Sequence, residues 1–181
     1  MSQSVSTWSI VDEGNETPDG FLFAGISAGL KASNKKDLAL ILAPEGSIFS
    51  GMFTQSIVRA SCVDICEERI KTTSGFVRAI LINSGQANAC TGNLGIQHFQ
   101  IATRKIAELL GIKEVEVLMC STGVIGVPIQ INDLIKNLPN LVCDLKGNNF
   151  QNAAEAILTT DLTLKKVLIE TIIQGLSLIH I

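Results

Sequence analysis

Short apolar runs broken by small polar residues dominate the pattern along this chain. Residues 21–31 mix apolar side chains with Gly25 and Gly29, the signature of a bent strand where backbones approach closely. Residues 37–42 form a short apolar run ahead of Pro44, and 77–82 form a second; each predicts a buried strand. Residues 50–58, beginning Gly51-Met52-Phe53-Thr54, predict another. From about Gly95 to Leu110 the period changes. Phe99, Ala102, Ile106 and Leu110 line one face of a helix, with Arg104, Lys105 and Glu108 off it and Gly111 closing it. A strand over 115–119 follows, then a helix from Ile131 to Leu138 stopped by Pro139. A further helix over 149–158 carries Phe150, Ala153, Ala154 and Ile157 on one face. Residues 167–173 and 176–181 read as two strands joined across Gln174-Gly175. Strands mixed with helices, without an internal repeat, predict an α/β protein.

The first 20 residues read differently: a polar loop with Trp8 as its one anchor. The domain layout expected is therefore a polar segment over 1–20 and one domain over 21–181. The final strand ends while still apolar at Ile179-His180-Ile181, and the pattern predicts that the rest of its core lies elsewhere. On its own, such a chain is expected to aggregate.

Composition narrows the class. With 46% hydrophobic and 17% charged residues, a chain of 181 has enough apolar material for one real core. The net charge of −3 and the scatter of the 14 basic residues argue against nucleic-acid binding, since Lys35-Lys36 and Lys165-Lys166 are the longest basic runs. No apolar stretch is long enough for a membrane span, and no secretory pattern opens the chain. Five cysteines (Cys62, Cys66, Cys90, Cys120, Cys143) then read as free thiols of a reducing cytoplasm. Cys62 and Cys66 lack a second Cys/His pair at zinc spacing, and His98 and His180 stand alone, so no metal site is expected.

Two loops hold candidate chemistry. Ser121-Thr122-Gly123 follows a strand, with Gly126 close behind. Acyl transfer needs donors aimed at the oxygen that becomes negative; a Gly admits a backbone N–H, and a Thr hydroxyl adds a second donor. A plain strand-to-loop turn explains the same residues. The stretch from Asn83 to Gly92 reads as an anion or carboxylate pocket or as an Asx-rich structural loop. Cys90, eight residues before His98, and Cys120 are weak nucleophile candidates, because no neighbouring charge signals a lowered thiol pKa. Thr159-Thr160-Asp161 closes a helix, where its hydroxyls either bind substrate or bond free carbonyls.

Taken in order, Gly20-Phe21, Ala24-Gly25-Ile26, Gly29-Leu30-Lys31, Asp37-Leu38-Ala39-Leu40, Gly51-Met52-Phe53-Thr54, Asn83-Ser84-Gly85-Gln86-Ala87-Asn88-Ala89-Cys90-Thr91-Gly92, Ser121-Thr122-Gly123-Val124-Ile125-Gly126 and Thr159-Thr160-Asp161 resemble the glutamate N-acetyltransferase (ornithine acetyltransferase) family. The resemblance runs from Gly20 to the end. It implies acetyl transfer from N-acetylornithine to glutamate in arginine biosynthesis, with acetyl-CoA a substrate of some members and no cofactor. It also implies an αββα-type layered fold, made as a precursor that cleaves itself into two chains. The second (beta) chain brings the nucleophilic Thr at its new N-terminus, and two of each chain form a tetramer. By the same resemblance Thr122 and Gly123 form the oxyanion hole and Thr159 contacts substrate. Gln86 stands where the family uses Asn, and Ala60-Ser61-Cys62 replaces Ala-Ala-Pro, so a different loop is expected there. The family's Lys-Gly-Ser-Gly run and Met-Ala-Thr cleavage site are not among these residues. No nucleophile is assigned in this chain, which is expected to be inactive by itself. Two rivals remain: a self-processing aminopeptidase of related fold, and a non-catalytic module binding a small anion at 83–92.

Overall fold

The computed structural model describes residues 9–10, 17–167, 169–173 and 176–180. Trp8, the Gln174-Gly175 turn and Ile181 lie outside them. Strands β1 (Ser9–Ile10), β2 (Leu22–Ile26) and β3 (Leu38–Leu42) are followed by helix α1 (Ser61–Thr72) and strand β4 (Ala79–Gln86). Helix α2 (Gly92–Leu110), strand β5 (Val117–Val124), helices α3 (Ile131–Cys143) and α4 (Phe150–Ala156), and strands β6 (Ile169–Ile173) and β7 (Leu176–His180) complete the order. The main sheet runs β2-β3-β4-β5, while β1-β6-β7 form a second, antiparallel sheet. In the main sheet β2, β3 and β4 are antiparallel neighbours and β4-β5 are parallel.

Alternation along the strands sends side chains to two unlike faces. Leu38, Leu40, Leu81, Val117 and Met119 meet Phe99, Ala102 and Ile106 of α2 and Leu134, Leu138 and Leu141 of α3 in the larger core. Phe23, Ala39 and Ile82 meet Ala153, Ala156 and Phe150 of α4 on the opposite face, where the Phe23 and Phe150 rings pack edge to face. Helix α4 lies over β2 and β3. It sits very close, because a Cβ on Gly25 of β2 would stand 2.0 Å from the Asn152 carbonyl oxygen.

Four expectations are corrected. Residues 50–58 form no strand; Met52 and Ile57 are fully exposed, no described strand pairs with the run, and of its apolar side chains only Phe53 packs against the core. Helix α1 instead occupies the stretch where only an altered loop was expected, with Ala60 as its N-cap. A Pro in the first turn of a helix needs no N–H partner, so the family's Pro and this chain's Cys62 both suit that place. Helix α3 continues through Pro139 to Cys143, since Pro removes one backbone bond while buried Leu138 and Leu141 hold both halves against the core. The strand expected over 115–119 begins only at Val117. Ahead of it a 3₁₀ turn spans Glu114–Glu116, where the Glu116 carboxylate accepts the Lys113 N–H at 2.8 Å.

Helix α1 is pinned by an unusual core residue. Arg69 is 8% exposed and donates to the carbonyls of Glu114 (2.8 Å) and Val117 (2.6 Å) and to the Glu114 carboxylate (2.9 Å). Its guanidinium lies 4.8 Å from the Phe99 ring centre. His98 of α2 is likewise buried, and its Nδ1 has no hydrogen-bond partner among the described residues. Burial holds its pKa below the ordinary imidazole value of 6.5, so the native state carries it neutral. A base whose folded pKa is depressed contributes stability above its unfolded value, and that contribution is lost as pH falls through the folded one. Melting curves should therefore show that His98→Gln loses less stability than the wild type between pH 7.5 and pH 5; equal losses would place the acid sensitivity elsewhere.

Candidate functional site

The small-residue motifs meet where the parallel pair β4-β5 ends. Asn83, Ser84, Gly85 and Gln86 stand in register with Ser121, Thr122, Gly123 and Val124, so both motifs begin as strand and not as loop. Gly85 (φ 128°) and Gly123 (φ 132°) face one another across this pair. A Cβ on Gly123 would stand 2.3 Å from the Gly85 carbonyl carbon, and one on Gly85 would stand 2.8 Å from the Leu30 oxygen. Both the dihedral and the closeness demand glycine. The residue type read as an opening for an oxyanion is thus required first by the sheet.

Side chains around this end divide by face. Ser121 Oγ donates to Asn83 Oδ1 at 2.6 Å, and Asn83 Nδ2 donates to the Gln86 carbonyl at 3.0 Å. Ser84 Oγ donates to the Ala156 carbonyl at 2.5 Å, which places Ser84 on the α4 side. Thr122, its register partner, shares that side of the pleat. Thr122 is half-buried and its hydroxyl has no partner among the described residues; Gly123 is exposed. An unspent hydroxyl next to an accessible glycine backbone is the arrangement an oxyanion site needs.

Residues 87–92 are a scaffold. Asn88 is fully buried at φ 51°, its Nδ2 donates to the Gly95 carbonyl at 3.1 Å, and its Oδ1 accepts from Thr91 at 2.9 Å. Backbone bonds from Ala87 to Val124 and from Gly126 to Ala89 tie the loop to the end of β5. The side-chain donors of Asn83, Ser84, Gln86, Asn88 and Thr91, read as part of an anion pocket over 83–92, are spent on internal partners, while the buried Gln86 Oε1 has none among the described residues.

Cysteine chemistry fares no better. Cys90 is exposed at φ 56°, and no hydrogen bond joins it to His98. Cys62 and Cys66 are buried free thiols, and burial raises both pKa values. Cys120 keeps contact with solvent, yet desolvation of its sulfur, with Cys66 and Cys62 near, pushes its thiol up to about 12. Such a thiol is no nucleophile at neutral pH. Among the described residues no cluster of three His, Cys, Asp or Glu side chains could hold a metal ion. No described helix is long and apolar enough to cross a membrane.

Thr159 and Thr160 are exposed just beyond α4, and their hydroxyls bond no carbonyl among the described residues. The free carbonyls at that helix end are taken instead by Ser84, on Ala156, and by Lys31, whose Nζ donates to the Leu158 carbonyl at 2.5 Å. Since Ser84 is the register partner of Thr122, the segment that leads to Thr159 is fastened to the same end of the sheet. No pattern of neighbouring residues signals these anchors; only the fold pairs Lys31 with residue 158. A groove of about 780 Å³ lined by Phe21, Phe23, Ile41, Ile80 and Phe150, with Lys165 and Lys166, contains none of these candidate groups.

A mixed sheet sheathed by three helices on one face and one on the other, with small polar residues at the end of its parallel strands, is an α/β architecture shared with solved acetyltransferases. One such chain is the arginine biosynthesis bifunctional protein ArgJ of Bacillus halodurans, with a TM-score of 0.90 at 29% identity, covering 98% of this chain and 92% of that one. Another is the ornithine acetyltransferase of Mycobacterium tuberculosis solved with ornithine, with a TM-score of 0.85 at 31% identity over 96% of this chain and 93% of that one. The model of the ArgJ family matches residues 22–181, and the chain belongs to that family. The arginine biosynthesis bifunctional protein ArgJ of Prochlorococcus marinus subsp. pastoris is 74% identical over 165 residues. That match takes in 91% of this chain and 41% of the relative. The relative from Caldanaerobacter subterraneus subsp. tengcongensis is 43% identical over 166 residues, 92% of this chain and 40% of its own length. The chain thus spans about two fifths of the length of the curated relatives it matches.

Proposed function

We propose that this chain is the acyl-cradling part of an enzyme that moves an acetyl group from N-acetylornithine to glutamate. Thr122 and Gly123 stabilise the oxyanion, Thr159 contacts substrate, and a Thr hydroxyl from outside these 181 residues attacks the acetyl carbonyl. Attack forms a tetrahedral intermediate whose oxygen carries the negative charge. Its collapse releases ornithine and leaves an acetyl ester on the Thr, and the glutamate amine then takes the acetyl group.

The observation that carries this reading is the pairing at the sheet end: an unspent Thr122 hydroxyl and an exposed Gly123, with the approach to Thr159 bonded to Ser84 alongside. Division into two chains draws support from length. This chain covers 92% and 93% of the solved chains, but only 41% of a curated relative. The second chain then carries the nucleophile, and two copies of each assemble.

The test is incubation of the complete enzyme with N-acetylornithine and glutamate. Ornithine and N-acetylglutamate should appear in equal amounts, while the 181 residues alone release neither. Absence of acetyl transfer by the complete enzyme would overturn the activity. Turnover by the 181 residues alone would overturn the division of labour. Release of N-terminal residues from peptides in place of acetyl transfer would support the aminopeptidase alternative.

A further inference from the structure

We infer that Lys31 is a positioning residue for acyl transfer, its ammonium setting where Thr159 lies relative to Thr122; the inference rests on the acetyltransferase reading above. Lys31 leaves a loop that is held with unusual firmness. The carboxylate of Asp37 is fully buried and accepts the backbone N–H groups of Ala28 (2.6 Å), Leu30 (2.6 Å) and Lys31 (3.0 Å). Gln86, at the end of β4, donates its Nε2 to the Leu30 carbonyl at 2.8 Å, and Gly85 lies against that same carbonyl. The root of the Lys31 side chain is therefore fastened to the strand end that pairs with Thr122-Gly123.

The tip reaches the other candidate group. Nζ donates to the Lys36 carbonyl at 2.9 Å and to the Leu158 carbonyl at 2.5 Å, one residue before Thr159. Carbonyls past the last turn of a helix lack intrahelical donors, and the helix dipole makes that end negative; a lysine ammonium answers both needs. The position is half-buried, and desolvation lowers the amine's pKa while Asp37 opposes the fall. A cation held there against the cost of burial is a tether of defined length. Ser84 Oγ on the Ala156 carbonyl provides a second tether two residues earlier. Without Lys31, residue 158 keeps only the bond of its N–H to the Glu155 carbonyl (3.3 Å) within its own turn, so the segment that carries Thr159 is free to swing relative to the sheet end.

The experiment uses Lys31→Met and Lys31→Arg in the complete enzyme. Lys31→Met keeps the apolar stem and loses both bonds; it should raise KM for the substrate that Thr159 contacts by about tenfold, with kcat changed less than KM. Lys31→Arg, which can still donate to both carbonyls, should recover most of the loss. Hydrogen exchange adds a readout that does not require turnover. Amides of residues 158–161 should exchange faster in Lys31→Met, with those of β4 and α2 unchanged. An unchanged KM in an enzyme that transfers acetyl groups, or unaltered exchange over 158–161, would overturn the inference. If the wild-type enzyme transfers no acetyl group, the function reading falls, and the exchange data still decide whether Lys31 holds this segment.

Discussion

Thr122→Ala in the complete enzyme is expected to lower kcat by about 10²–10³ while leaving the fold in place. The hydroxyl sits half-buried on β5 without a partner among the described residues, so removing it orphans no buried group. Stability should therefore change by less than about 1 kcal/mol. Its proposed work is confined to the moment when the acetyl oxygen becomes negative, and a bond made only in the transition state appears in kcat and kcat/KM together. Thr122→Ser should keep most of the activity, because it keeps the donor. Near-normal turnover of the alanine variant would remove Thr122 from the oxyanion site and leave Gly123 alone.

Gly123→Ala should fail in another way. A methyl group there meets the Gly85 carbonyl carbon at 2.3 Å, on a backbone at φ 132° that side-chain-bearing residues avoid. Strain of this kind and overpacking each cost about 1–3 kcal/mol, so the two together should lower the melting temperature by about 10 °C. Activity should fall with stability, since opening the β4-β5 pair moves Thr122 as well. A variant that melts normally but transfers acetyl groups poorly would mean that Gly123 acts only on substrate. Comparison of the two variants separates donor chemistry from the sheet geometry that aims it.

How far the amino-acid order reveals this molecule depends on which forces act at each place. Strands β2, β3 and β4 and helix α2 are legible, because long apolar runs and a clean helical period leave few ways to bury them. Helix α1 is not, for its buried stripe is Cys62, Cys66 and Arg69. Their spacing is helical, but two thiols and a guanidinium do not read as apolar. Residues 50–58 err in the opposite direction: strand-like side chains are present and the neighbouring strand is not. Small residues at 120–124 read as loop, yet they continue β5, since close approach to Gly85 favours the lack of side chains. For Thr122, Gly123 and Thr159 residue chemistry left two readings each, and family resemblance favoured the roles proposed for them; the physical support for their arrangement comes from Ser84 and Lys31, whose partners lie far away in sequence.

That distance orders the assembly of the site. The Asp37 carboxylate binds amides six to nine residues before it, a loop that closes with little loss of chain entropy. The Ser84 bond to Ala156 spans 72 residues, and the Lys31 bond to Leu158 spans 127. Contacts of such long range form late, once the sheet has already restricted the chain between them. The β4-β5 strand end that carries Thr122 and Gly123 thus forms before Thr159 arrives, and docking of α4 is the event that brings these proposed groups together.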